Sequence, residues 1–581
     1  MYGHTLPDRT RPGLGSISLF DDEGSEKFVA IFRCLVGPLN SPKELNEITG
    51  WSSEDPRNRR ETQVPTLYDI DTGKWGYEIT PDMVPMRWFK LLLLNDDDIQ
   101  KEDIRNSPQL QQARQLLAQS TKRKRPVEIV GAYLEKIWNH TYATLKTMMD
   151  IEDLPLRVAI TIPAIWPAYA QGLMREAAKI AGITKKRDIG ETTLILVQEP
   201  EAAALASLFQ HSSFPEIQDV ISYKVTSERP FKLEECVPGD GKLAGAFQID
   251  QAFEAHLRGK SKLKITSLSA SDYNQFIQKE WELGAKRTFN NASEPRFFNL
   301  HPPSKAYGTM ARLRHKETLA INKSLTGIRS LVNSQYKQIE KATGKPPKKI
   351  LLVGGLGSSE YVYDVLNDLF DNRVLRPSDS WSAVARGAIL RLLQENISLQ
   401  TTLSPKQRVA LAVLPNVVSR RSRNHYGIMV DTPVETVDLE PEDEPYKDPE
   451  GVNRVTRMEW YLKKVAYSLD YGDKVDKASR IPITYHGFYQ APLPPKCTFD
   501  IMYSSEDVVP KRPGPKVMDL CRIECDWDKP IEEWKTVGNP YTGWRKHEDL
   551  ELTMGLEGEP KWEIRVGSKR AEHNFEVQYM G

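Results

Sequence analysis

Two strand-turn-helix segments carry the residues whose types and spacing could do chemistry. In the first, Leu194 to Val197 is a short apolar run of buried-strand type, and Gln198, Glu199 and Pro200 lead into the helix-forming run Glu201 to Leu208. Glu199 stands at the carboxyl end of a strand and just ahead of a helix, where open α/β sheets place ligand-contacting groups. Read alone, its carboxylate more simply favours the positive start of that helix. In the second segment Ile350 to Val353 reads as a buried strand and Gly354, Gly355 and Gly357 as its turn. Ser358 or Ser359 then caps a helix whose free N–H groups can meet a ligand. The glycines lack the dinucleotide-fingerprint spacing, and a tight turn with no ligand would use the same residues. Gly239, Gly241 and Gly245 allow a close approach of backbone to a cleft, as an ordinary strand-to-helix loop also would. Lys286 and Arg287, in WELGAKRTFN, form a basic helix face.

The elements that must position these residues follow from periodicity. RVAITIP, from Arg157, alternates and is β-branched, and Pro163 and Pro167 break it. Gln171 to Ile180 then place Leu173, Met174, Ala177, Ala178 and Ile180 on one helical stripe, and Gly182 closes that helix. Glu128 to Met149 is an amphipathic helix with Ile129, Tyr133, Ile137, Thr141 and Leu145 toward the sheet. Phe28 to Val36 reads as one opening strand, QVPTLYDIDTGKWGYEI as two strands around an Asp-Thr-Gly turn, and Met86 to Leu94 as the start of an apolar helix. In SWSAVARGAIL, the residues Ala383, Ala385, Gly387 and Ala388 are small enough for a close helix crossing. KRKR, Lys122 to Arg125, reads as a solvated loop.

Beyond Ser404, short alternating runs separated by Pro, Gly and Asp clusters indicate an all-β module. Residues 1–27, rich in Pro, Gly, Asp and Ser, read as a disordered tail, and the acidic loop Asp438 to Glu444 as a solvated linker. The formal charge is +0, so no global pull toward nucleic acid or membrane follows. No run has the length of a membrane span and no signal-peptide core is present, which makes the cytoplasm the expected compartment. Cys521 and Cys525 lie in an alternating run with no second Cys or His pair nearby, so a plain strand is expected there and no metal site.

Four landmarks in order, the IPA strand, the QEPEAAAL segment, the KR helix and the GGLGSS turn, resemble the seventy-kilodalton heat-shock chaperone family, specifically its divergent, largely fungal branch. The resemblance covers Trp51 to Leu393 in patches. It implies an α/β, actin-like, two-lobed nucleotide-binding fold, incomplete in lobe I, followed by the all-β module. The implied division is residues 28–220 for lobe I, 221–397 for lobe II and 398–581 for the module. It further implies ATP or ADP with magnesium as ligand. Glu199 matches the glutamate that holds the magnesium-bound water network beside the γ-phosphate. Lys90 falls where the family carries a catalytic lysine that neutralises phosphate charge; a snorkelling surface lysine is the plainer alternative. Lys286 and Arg287 match the residues flanking purine and ribose. Gly354, Gly355, Gly357 and Ser358 match the adenosine turn, and Gly239 and Gly241 the glycine-rich turn of lobe II.

The chain departs from that family in two places. The Gly-Thr-Thr hairpin after the opening strand is replaced by GPLNSPKELNEITGW, and Phe209 to Val220 contains no glycine where the second phosphate loop belongs. A triphosphate needs converging N–H donors that glycine lets approach. Drift into a pseudo-ATPase and an incorrectly joined transcript both produce such gaps, and genomic DNA across the two junctions separates them. The expected function is a chaperone-like protein with impaired or lost ATP hydrolysis, holding a peptide or protein client through the β-module. The rivals are a non-catalytic scaffold and a small-molecule kinase on the same fold.

Overall fold

The computed structural model describes residues 27–31, 35–38, 46–53, 64–80, 83–96, 99, 105–106, 108–120, 122–148, 151–163, 166–190, 192–210, 219–220, 223–228, 231–237, 253, 276, 281, 297–300, 311–314, 319–353, 357, 359–377, 382–399, 414–422, 424–463, 474–476, 481–506, 508–556, 560–572 and 578–579. The tail expected at residues 1–27 lies almost wholly outside them. The architecture is mixed α/β with an all-β C-terminal region.

The first sheet contains β1 (Lys27–Ile31), β2 (Leu35–Pro38), β3 (Asn46–Glu47), β4 (Leu156–Ile162) and β5 (Thr193–Gln198) in the order β3-β2-β1-β4-β5. β1 runs antiparallel to β2 and parallel to β4, and β4 runs parallel to β5. The expectation of a single strand over Phe28 to Val36 is corrected: Ala30 pairs with Leu35, so the run folds back on itself as a hairpin. A hairpin therefore stands where none was expected, without glycine in residues 32–34. The strand expected at RVAITIP forms, but all seven residues of β4 are buried, Arg157 and Thr161 included, so it is covered on both faces where alternation implied one.

Three described helices precede or join its parallel strands β4 and β5. α1 (Pro108–Gln119) lies against the region of Phe89–Leu93, α2 (Pro126–Met148) precedes β4, and α3 (Ala168–Ile180) joins β4 to β5. The α2 stripe is as expected, with Ile129, Tyr133, Ile137, Thr141 and Leu145 all buried. α3 begins three residues earlier than its stripe suggested. Gly182 closes it with φ +74°, donating to Lys179 O while Ile183 N donates to Ala178 O. Ile180 is a correction: it is 41% exposed and lies across Gly131 at the rim of the α2–α3 contact.

α4 (Glu199–Gln210) follows β5 and leads to β6 (Asp219–Val220), β7 (Tyr223–Glu228) and β8 (Phe231–Glu235), an antiparallel meander. β9 (Phe297–Leu300) and β10 (Ala311–Arg314) form a separate hairpin. α5 (Leu319–Thr343) then precedes β11 (Ile350–Leu351), α6 (Glu360–Leu369) joins it to the parallel β12 (Val374–Leu375), and α7 (Ala383–Leu399) follows. β11 lies beside β6. Among the described residues, a three-strand meander is followed further along the chain by helix, strand, helix, parallel strand and helix in both halves, with α1 added in the first and the β9–β10 pair in the second. Among the described residues, the two final helices, α4 and α7, are the most extensively packed helix pair, and they share one core with β4, β5, β7, β8 and β11.

β13 (Asn416–Arg421) pairs in parallel with β8 and carries the chain into the C-terminal region. One sheet there comprises β15 (Tyr446–Lys447), β16 (Asn453–Leu462), β14 (His425–Pro433), β19 (Cys497–Ser504), β20 (Met518–Cys525) and β25 (Gln578–Tyr579). The other comprises β18 (Ile481–Tyr489), β22 (Arg545–Leu556), β23 (Pro560–Val566) and β24 (Lys569–Glu572), with β21 (Lys535–Thr536) beside β22; β17 (Lys474–Asp476) pairs β13. Their inner faces meet in one core around Phe499, Ile501, Ile523, Leu552, Trp562 and Ile564, which makes the module a sandwich. Tyr461 and Tyr485 join the sheets through a 2.7 Å hydroxyl contact. The acidic loop is largely solvent-exposed, as expected, but it is tied down: Arg457 grips Asp443 through both oxygens, at 2.6 and 2.5 Å, and Arg512 reaches Glu440 and Glu442.

Candidate functional site

Lys90 sits on a 3-10 helix, Phe89–Leu93, where the apolar run promised the start of a longer helix. Trp88 precedes it in the left-handed region at φ 61° and Leu94 follows it in extended conformation, so a single turn is all that forms. Phe89 and Leu93, at the two ends of this short helix, are both buried and hold it down. Phe89 packs edge-on against Tyr133 of α2 at 5.2 Å between ring centroids and against Tyr68 at 6.5 Å. The Asp-Thr-Gly turn nearby forms as expected, with Thr72 N donating to Asp69 Oδ1 and Gly73 at φ +73°. The two strands expected around it are reduced to isolated bridges of Tyr68 with Trp75 and Met86.

Glu199 is the first residue of α4, directly after β5, and Pro200 follows it within the first turn, where its missing N–H costs nothing. Lys90 Nζ lies 3.5 Å from Glu199 Oε1, with the two side chains 25% and 40% exposed. The same ammonium stands 5.0 Å from the centre of the Trp166 ring. Trp166 follows β4, and its backbone is held at both ends: its N–H donates to Pro163 O, and its carbonyl accepts from Gln171 Nε2. Tyr169 Oη accepts from Asn95 N at 2.8 Å, tying the segment after the Lys90 turn to α3. A cation, a carboxylate and an aromatic face thus meet at the carboxyl ends of two parallel strands, the ligand-binding edge of an open α/β sheet.

No protein-family model matches the chain, and no curated protein sequence matches it significantly.

Of the other residues singled out, Gly357 is described and buried. A Cβ there would stand 2.5 Å from Val353 O, so only glycine fits at this position. Ser359, not Ser358, is the N-cap residue of α6, with no side-chain cap bond. Gly354, Gly355, Ser358, Gly239, Gly241, Lys286 and Arg287 lie outside the described residues. Among the described residues no group of three His, Cys, Asp or Glu side chains is placed to hold a metal ion, and no helix is long and apolar enough to cross a membrane.

Sequence reasoning missed two residues. Trp166 was legible only as an aromatic between two prolines. Glu201, two positions beyond Glu199, was absorbed into a helix-forming run. Its carboxylate is buried, accepting from Arg420 Nε at 3.1 Å and Nη2 at 2.6 Å, with Arg391 Nε at 3.3 Å. Burial pulls the Arg420 pKa down, but the Glu201 carboxylate outweighs it and the guanidinium ends above its ordinary value. Arg391 is on α7 and Arg420 on β13, so Glu201 ties the helix that begins at the candidate site to both. No local signal announces such partners.

Proposed function

We propose that this protein is chaperone-like, built on a two-lobed, actin-like ATP-binding fold whose grip on phosphate, and with it ATP hydrolysis, is weakened. The observation that carries this reading is the approach of Lys90 to Glu199. Both residues match functional positions of the resembling family, and they come from distant parts of the chain. The two-lobed reading is supported by the similar, though not identical, order of described strands and helices in the two halves, and by the close crossing of α4 and α7.

The residues fit an anionic nucleotide in part. Lys90 offers a partly exposed ammonium, Glu199 a partly exposed carboxylate for a magnesium-bound water network, and the Gly357 turn brings backbone close to a helix start. Magnesium, when bound with ATP, would supply charge neutralisation at the phosphates. Lys90 would orient the phosphate end, and Glu199 would hold solvent in line with it. Against strong hydrolysis stands the loss of glycine from both phosphate loops, since backbone donors preorganised on the transferring phosphoryl group supply much of such a barrier reduction. That loss also favours the second reading, a scaffold that engages a client through the β-sandwich.

The test is calorimetric titration of the whole chain with magnesium-ATP, AMP and adenosine, beside an ATPase assay with Glu199→Ala as control. Comparable binding of all three, with little hydrolysis, is expected. ATP binding far tighter than adenosine would overturn the weakened phosphate grip. No binding by a folded sample would leave the scaffold reading.

A further inference from the structure

The antiparallel register of β19 and β20 sets Cys497 directly opposite Cys525. Which face they share follows from their neighbours. Asp500 and Arg522 are also directly opposite, and they form a two-contact ion pair, Nε to Oδ1 at 2.5 Å and Nη2 to Oδ2 at 2.8 Å, on the outer face. Cys497 is an odd number of residues from Asp500 and Cys525 an odd number from Arg522, so both thiols point the other way. There Phe499, Ile501 and Ile523 line the sandwich core, and both cysteines are buried within it.

Directly opposed residues on one face have Cβ atoms about 4.5–5.5 Å apart, and a disulfide needs about 3.5–4.5 Å, so closure asks for a shift of roughly 1 Å. The third cysteine of this core is placed differently. Cys521 faces Ile501 on one side and Tyr579 on the other. Among the described cysteines, Cys497 and Cys525 alone are cross-strand partners.

We propose that Cys497 and Cys525 are a site of reversible covalent cross-linking, closed by exchange with a small disulfide of the glutathione class. One thiolate attacks the small disulfide and releases one reduced thiol. The second cysteine, giving up its proton, displaces the other small thiol from the mixed disulfide. In sum, two protein thiols become one disulfide while one small disulfide becomes two thiols. The bond would join two interior strands of the sheet that runs β14-β19-β20-β25 and close the chain between them. Burial keeps both thiols protonated, pushing Cys497 up to about 12, with Cys525 beside it as a second cause. The cross-link therefore forms slowly on the folded protein, faster as pH rises, and readily during oxidative refolding.

The experiment incubates the purified full chain with oxidised glutathione at pH 7 and pH 9, and separately refolds it from denaturant in the same buffer. Free thiols are then blocked and the chain is cut with trypsin. Lys511 and Lys516 lie between Cys497 and Cys521, and Arg522 lies between Cys521 and Cys525, so cleavage places the three cysteines on three different peptides. The expected result is a linked pair carrying Cys497 and Cys525, loss of two free thiols, faster linkage at pH 9, and a rise in the module's melting temperature of roughly 5–10 °C. Cys521→Ala should keep the link and Cys525→Ala should lose it. Glutathione retained on a single cysteine, a link to Cys521 or Cys34, or no link after oxidative refolding would overturn the proposal. The wild-type peptide map decides this by itself if Cys525→Ala does not fold.

Discussion

A Cβ placed on Gly387 of α7 would stand 1.6 Å from the carbonyl oxygen of Ala202 on α4. The two helices touch backbone to backbone at that point. Gly387→Ala must push them apart, and overpacking of this kind costs about 3 kcal/mol or more. Gly182→Ala is the contrast, with φ +74° but open space around it, and should cost about 1–2 kcal/mol from backbone strain alone. Urea unfolding followed by tryptophan fluorescence checks both, and equal effects would contradict the close crossing.

Glu201 is shared by two buried guanidiniums. Glu201→Ala removes the buried carboxylate that Arg391 and Arg420 share and should destabilise the α/β region by about 3–5 kcal/mol. Restoring shape without charge, as in Glu201→Gln, should recover only part of the loss. A variant as stable as the wild type would mean that water reaches the cluster.

Lys90 and Glu199 are both partly exposed, so their ion pair contributes little to folding. Lys90→Met should change stability by less than about 1 kcal/mol. In the nucleotide titration it should weaken any preference for ATP over adenosine. A variant that loses adenosine and ATP equally would place Lys90 outside the phosphate end.

Asp443 provides a pH test in the β-module. The hydrogen bonds from Arg457 come first among the causes that hold its carboxyl down at about 2, against 3.8 ordinarily. A depressed carboxylate stabilises the fold above its unfolded pKa, and that contribution is lost as pH falls through the folded one. The thermal stability difference between wild type and Asp443→Asn should therefore be constant above about pH 5 and shrink between pH 4 and 2. A difference unchanged at pH 2 would mean that the Arg457 contact does not depend on charge.

What the sequence by itself determined was local. The alternation of RVAITIP, the stripe from Ile129 to Leu145 and the closing Gly182 each encode their structure within a turn or two, because side-chain periodicity and capping act over a few residues. The small residues around Gly387 announced a close crossing in the same way. What only the tertiary structure decided was who meets whom. The fold-back of Phe28 to Val36 came from pairing that β1 makes on both edges, and the single turn at Lys90 from burial of Phe89 and Leu93. Glu201 reaches Arg420 across 219 positions only because β13 lies beside β8 and α7 beside α4. The Lys90–Glu199 approach likewise depends on where β4 and β5 end. Such partners are fixed by strand register and helix crossing, long-range packing choices that no short window of residues contains.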